Sequence, residues 1–179
     1  MRPYPVTLAG KRDRTLIAFG YDTLCRRSEL VSLRAEALSV TSRGVAQILI
    51  RRSKNDPYGN GRLGYVSNGT FALLRGWPDA AKIDRGFIFR RVRSGKIGEK
   101  PLHPYSVNRV LKDVASRAGI PAEIVKELSG HSMRVGAAQD MIASGMGALP
   151  IMRAGGWRTM NVVARYVENT DLAAIMGNR

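Results

Sequence analysis

Apolar residues recur at helical spacing on both sides of one stretch, residues 37–68, where they alternate instead and are punctuated by Gly, Pro and Asn. A period of 3.6 and a period of 2 cannot share one regular element, so the chain must combine helices with a small sheet. LSVTSRGVAQILIRRSKNDPYGNGRLGYVSN reads as two or three antiparallel strands, with GYVSN the last and KNDPYGNG a long hairpin loop. Before it, residues 12–26 read as a helix with Leu16, Ile17, Phe19, Tyr21 and Leu24 on its apolar face. A second helix is expected from Ser28, as N-cap, to about Ala35. After the sheet, helical spacing resumes near Thr70, and GFIFRRV is a short strand or a buried segment.

The cleanest helix spans residues 105–118, with Val107, Val110, Leu111, Val114 and Ala118 in one stripe and Arg109 and Lys112 on the other side. Residues 131–144 form another, followed by a break at Gly145 and Gly147, a helical piece at 150–153 and a turn at Gly155–Gly156. Two last short helices are expected at 159–167 and 171–176. The predicted class is α+β: a mostly helical domain over residues 12–179 with one small antiparallel sheet near its N-terminal third. Residues 1–11 are expected to be a linker or disordered end.

Charge bounds the partner. Twenty-nine Lys and Arg stand against fourteen Asp and Glu, a net +15 over 179 residues, and the basic residues are spread along the chain rather than gathered in a tail. A folded domain with that excess repels itself unless a polyanion is its partner, and nucleic acid leads, with a ribosomal or merely basic protein as the alternative. No apolar run reaches the roughly 18–20 residues of a membrane-spanning helix, and MRPYPVTLAGKRDR lacks the apolar stretch of a secretory signal. Cys25 is the only cysteine, which excludes an internal disulfide and fits a reducing compartment.

Several residues carry chemistry. Arg26 and Glu29 are three apart at a helix junction and share a face; His131 and Arg134 repeat the spacing later. Lys54 stands at the hairpin tip, where a long amine can swing onto a ligand. Two guanidiniums can each grip a phosphate through parallel hydrogen bonds. Tyr166 lies nine residues beyond Trp157. Two arginines, a histidine, a lysine and a tyrosine with no acidic cluster suggest metal-free phosphoryl transfer, since a two-metal nuclease needs gathered carboxylates. Singly, each has a plainer explanation: a surface ion pair, a chance HxxR, a solvated lysine, a packed aromatic.

The segments YDTLCRRSELVSLR, ILIRRSK, SGHSMRVGAAQDM and AGGWRTMNVVARYVEN, in that order, resemble the tyrosine recombinase (phage integrase) family, and most nearly its Cre-like branch. The resemblance runs from about Leu16 to Met176 and is loose over the sheet and residues 70–100. It implies that Arg26 and Arg134 are the two catalytic arginines, His131 the histidine of HxxR, Lys54 the hairpin lysine and Glu29 a supporting acid. Trp157 would stand where the family has His or Trp, and Tyr166 would be the nucleophile. No cofactor or metal is implied.

The resemblance further implies double-stranded DNA as partner, cytoplasmic and nucleoid-associated, cut through a 3′-phosphotyrosyl intermediate. A free tyrosine has a pKa of about 10 and is barely ionised at neutral pH, so the site must take its proton or stabilise its charge. Arg109 and Lys112 are candidates for groove or backbone contacts. Residues 170–179 would dock into a neighbouring subunit of a homotetramer on DNA, or else pack back onto their own domain. The family's N-terminal clamping domain is not expected in these residues, so weak binding and little complete recombination are anticipated. Two alternatives stay open: a type IB topoisomerase-like nicking and resealing enzyme, and a DNA-binding accessory protein that does not cleave.

Overall fold

The computed structural model describes residues 6–51 and 61–167. Lys54, the hairpin tip and the segments 170–179 and 171–176 lie outside the described residues. Among them, eight α-helices and two small antiparallel sheets build an α+β domain.

Helix α1 (Leu8–Thr23) begins four residues before the expected start, because Thr7 accepts a hydrogen bond from the Gly10 N–H at 3.1 Å and caps it. Residues 8–11 are therefore helix, not linker. The helix ends at Leu24, which adopts φ 52°, ψ 30°. A left-handed leucine costs about 1–2 kcal/mol, yet its fully buried side chain returns a comparable amount. The chain reverses there into α2 (Arg27–Ser32). The expected cap, Ser28, is instead inside this helix. Arg26 caps it, because the Glu29 carboxylate turns back to accept from the Arg26 N–H at 3.0 Å.

A 3-10 turn (Ala35–Ala37) leads into β1 (Leu38–Val40), β2 (Ala46–Ile50) and β3 (Arg62–Tyr65), in the order β1-β2-β3. Leu38 faces Ile48, Gln47 faces Tyr65 and Ile50 faces Arg62. The last strand is thus RLGY and not GYVSN, since Ser67 already caps α3 (Asn68–Ala81) by accepting from the Thr70 N–H.

The segment GFIFRRV, expected as a short strand or a buried segment, is both: Ile88 and Phe89 are buried and its end runs into β4 (Arg90–Arg93). Its pairing with β5 (Lys96–Pro101) in a second sheet, turned by Ser94 and Gly95 at φ 48° and 73°, was not foreseen. Only Val92 and Ile97 give these charged strands an apolar side, so no alternation was visible. Next come α4 (Pro104–Arg117), the short α5 (Ala122–Glu127), α6 (Gly130–Ala143), α7 (Ala148–Gly155) and α8 (Met160–Val167). Helix α5 also escaped the sequence reading, because it is six residues long and buries only Val125.

Two apolar clusters hold the domain. The larger joins α1 (Leu16, Phe19), α2 (Leu30), β2 (Ile48, Ile50) and α3 (Leu74, Trp77) with Ile88 and Phe89. Trp77 satisfies its indole N–H on the Ile88 carbonyl at 2.9 Å inside it. The smaller joins Leu24 to Ala137, Ala138, Ile151, Trp157 and Val163, with Tyr166 packed against it. Leu24 ties the end of α1 to the second cluster, so the Arg26–Glu29 turn is held where the two clusters meet.

Candidate active site

Six of the residues singled out in the sequence, Arg26, Glu29, His131, Arg134, Trp157 and Tyr166, come from three separated segments. Helix α6 supplies His131 and Arg134 from its first two turns. Ser129 caps it, accepting from the N–H groups of His131 and Ser132, while Asn108 of α4 accepts from the Gly130 N–H at 2.9 Å. That pairing fixes the helix N-terminus, a favourable place for an anion. Helix α8 brings Tyr166 over it: the Tyr166 hydroxyl lies 3.5 Å from His131 Nδ1, and their ring centroids are 5.2 Å apart.

Arg26, Arg27, Ser28, Asn108, Ser129, Gly130, His131, Arg134 and Tyr166 line one cleft of about 360 Å³. Trp157 lies beneath it, 6% exposed, with its ring 4.5 Å from that of Tyr166 and 5.0 Å from the Arg134 guanidinium carbon. The close fit needs Gly155, since a Cβ there would stand 2.7 Å from the indole.

Arg134 is 2% exposed. Its Nη2 donates to the Gly155 carbonyl at 2.9 Å, while Nε and Nη1 are buried with no acceptor among the described residues. Burial and the nearby Arg26 charge push its pKa below the ordinary value, although a guanidinium stays protonated at neutral pH. Buried donors without an acceptor are costly in a folded protein. Here they suit an anionic oxygen in the cleft.

Glu29 organises the other side. Its Oε1 accepts from Arg26 Nη1 at 2.7 Å, and its Oε2 from the Arg26 N–H and from Arg62 Nη2 at 3.2 Å. Burial pushes the carboxyl up, but the Arg26 hydrogen bonds and the charges of Arg62 and Arg26 outweigh it and hold Glu29 below the usual carboxylate range. A depressed carboxyl stabilises the fold fully above its unfolded value of about 4.3, and the contribution is lost as pH falls through the lower folded value. Glu29→Gln is therefore expected to destabilise the protein by about 3 kcal/mol at pH 7, by analogy with broken buried ion pairs. Urea unfolding across pH checks this, and the gap from the parent should close as pH drops below about 4.

Of the remaining candidates, Arg109 is exposed on α4 outside the lining of the cleft. Lys112 donates from Nζ to the Lys126 carbonyl at 2.5 Å, joining α4 to α5. Sequence reading missed Arg27, Asn108, Ser129 and Arg62. Arg27 sits 4.6 Å over the exposed Tyr105 ring, on which His103 stacks, giving the cleft a basic and aromatic rim. The single cysteine, Cys25, is buried and its thiol is pushed up by burial, so it is no nucleophile. Among the described residues no three His, Cys, Asp or Glu side chains gather as a metal site, and no helix is long and apolar enough to cross a membrane.

A family model described as the phage integrase family matches residues 6–172. The chain is 33% identical over 172 residues to an integrase/recombinase xerD homolog of Selenomonas ruminantium, covering 92% of this chain and 49% of that protein. It is 29% identical over 171 residues to recombinase cre of Escherichia phage P1, covering 89% and 50%. The chain thus spans about half the length of the curated relatives it matches. In fold it is similar to the XerA recombinase (TM-score 0.74, 16% identity, 95% of this chain and 56% of that one). It is likewise similar to the XerH site-specific recombinase in a post-cleavage complex with difH substrate (TM-score 0.73, 18% identity, 96% and 46%).

Proposed function

The chain belongs to the phage integrase family, and from that premise we propose that it is the catalytic part of a recombinase that cuts and rejoins duplex DNA through Tyr166. The observation that carries the reading is the convergence of Arg26, His131, Arg134 and Tyr166, from three separate segments, on one cleft. The Tyr166 oxygen attacks the scissile phosphorus, forming a 3′-phosphotyrosyl bond as the bond to the 5′-oxygen breaks. His131 Nδ1, in its unprotonated form, is placed to take the phenolic proton. Arg134, through Nε and Nη1, and Arg26 hold the non-bridging oxygens and neutralise charge gathering in the transition state.

Lys54, outside the described residues, is assigned the protonation of the departing 5′-oxygen, which leaves as a hydroxyl. Attack by a 5′-hydroxyl of another strand reverses the step. The phosphodiester energy is kept in the covalent bond, so neither ATP nor a metal is required. Trp157 buttresses the ring of Tyr166 from below.

The rim of Arg27, His103 and Tyr105 gives the DNA backbone a cation held over an exposed aromatic ring beside the cleft. Arg109 extends it along α4. Assembly as a homotetramer on DNA through residues 170–179, and work at the nucleoid, complete the proposal.

The test is covalent trapping. The chain is incubated with a pool of nicked duplexes of randomised sequence and run on a denaturing gel. A protein–DNA adduct is expected, at equal yield with and without EDTA. Its formation should fall steeply with salt, with binding losing about 0.9 of a power of salt for each phosphate neutralised. Duplex binding with no adduct from any sequence would overturn the reading in favour of a non-cleaving DNA-binding protein.

A further inference from the structure

We infer that Arg62 is a positioning residue for cleavage: it joins Glu29, and through it Arg26, to the segment that carries Trp157 and Tyr166. The inference rests on the reading of the cleft as a DNA-cleaving site. Arg62 opens β3, on the C-terminal side of the hairpin loop, and its side chain is 11% exposed. One guanidinium joins three parts of the fold, the end of α1, α2 and α7. Nη1 donates to the Thr23 carbonyl at the end of α1, at 3.0 Å, and to the Ala154 carbonyl in the last turn of α7. Nη2 donates to Glu29 Oε2 at 3.2 Å and reaches the Leu24 carbonyl at 3.5 Å. The side-chain stem passes beneath Gly156, where a Cβ would lie 3.0 Å from Arg62 Cδ.

The side toward α7 matters because Trp157 follows immediately. Gly155 receives Arg134 and lies against the indole, and the indole supports Tyr166. The side toward α2 matters because Glu29 is the ion-pair partner of Arg26. Arg62 therefore sets the distance between the arginine at one wall of the cleft and the platform under the nucleophile. Only a planar fork can serve both sides at once; a lysine ammonium would keep the charge and lose one of the two.

Glu29 faces the charges of Arg26 on its own turn, Arg62 from β3 and Arg134 from α6, with the Cys25 thiol beside them. Without Arg62, Oε2 keeps, among the described residues, the Arg26 N–H alone, and Glu29 loses its tie to the α7 side of the cleft. Arg26 is then held less firmly at the wall of the cleft, and the rate per folded molecule should fall while duplex binding is kept. A role limited to holding the fold together would lower the folded fraction and leave the rate per folded molecule unchanged.

The experiment compares the parent chain, Arg62→Lys and Arg62→Met on the same pool of nicked duplexes, reading the single-turnover adduct rate at pH 7, the duplex affinity and the melting temperature. Both variants are expected to lose on the order of tenfold or more in rate at pH 7, as small misplacements of reacting groups do. Duplex affinity should stay near that of the parent.

If Arg62→Met does not fold, Arg62→Lys decides: a reduced rate with unchanged affinity supports the inference, and a parental rate overturns it. Rates that match the parent once corrected for the folded fraction also overturn it. Absence of any adduct from the parent chain overturns the reading of the cleft itself, and the role of Arg62 with it.

Discussion

Tyr166→Phe is expected to abolish covalent attachment to nicked DNA, lowering its rate by at least about 10⁴-fold, as loss of an enzyme's nucleophile does. The substitution removes one oxygen and little else. The ring stays 4.5 Å from Trp157 and 5.2 Å from His131, and neither contact uses the hydroxyl. The hydroxyl's one hydrogen bond among the described residues, to His131 Nδ1, is long at 3.5 Å and lies at the surface. Stability should therefore change by no more than about 0.5 kcal/mol, as for other surface changes. Duplex binding should be kept, because the cations that grip phosphate are untouched. Adduct yield on a gel and duplex affinity from fluorescence anisotropy, taken together, separate lost chemistry from lost binding.

Arg134→Met carries the second large effect, and its sign differs between activity and stability. Removing one preorganised donor to a developing oxyanion typically costs about 10²–10³ in rate, and Arg134 offers two, Nε and Nη1. The attachment rate should fall by at least that much. In the DNA-free protein, however, the same side chain is a buried cation facing Arg26 and Arg62, with two donors unsatisfied among the described residues. Replacing such a group by an apolar chain of similar length is often neutral or stabilising. Arg134→Met is thus expected to be at least as stable to urea as the parent. A loss above about 1 kcal/mol would mean that its bond to Gly155 and its stacking on Trp157 matter more than its desolvation.

The contrast between Arg134 and Arg62 shows what was legible in the sequence. The pairs Arg26–Glu29 and His131–Arg134 stood out by their i,i+3 spacing, but the roles expected of them, and of Trp157 and Tyr166, came from the resemblance of the surrounding segments to the tyrosine recombinase family. The long helices were equally visible in their apolar stripes. Arg62 left no such mark: on a strand reading RLGY it resembles a solvated edge charge, and only its partners at Thr23, Glu29 and Ala154 reveal it as buried.

Asn108 was hidden for a related reason, since it serves the start of α6 from a different helix. The β4–β5 hairpin was missed because charge, not alternation, dominates its strands. The misplaced cap at Ser28 shows a side chain three residues downstream overriding a good capping residue: Glu29 reaches the Arg26 N–H first. Local pattern recovered what neighbours in sequence determine, and tertiary partners determined the rest.

The central claim is that the oxygen joining protein to DNA belongs to Tyr166. Its most direct test is to isolate the trapped adduct, digest both polymers and locate the nucleotide by mass spectrometry. The expected result is a single modified peptide beginning after Arg165, carrying a 3′-linked phosphonucleotide on Tyr166, and no such peptide from Tyr166→Phe. A nucleotide on any other residue, or an adduct that persists in Tyr166→Phe, would contradict it.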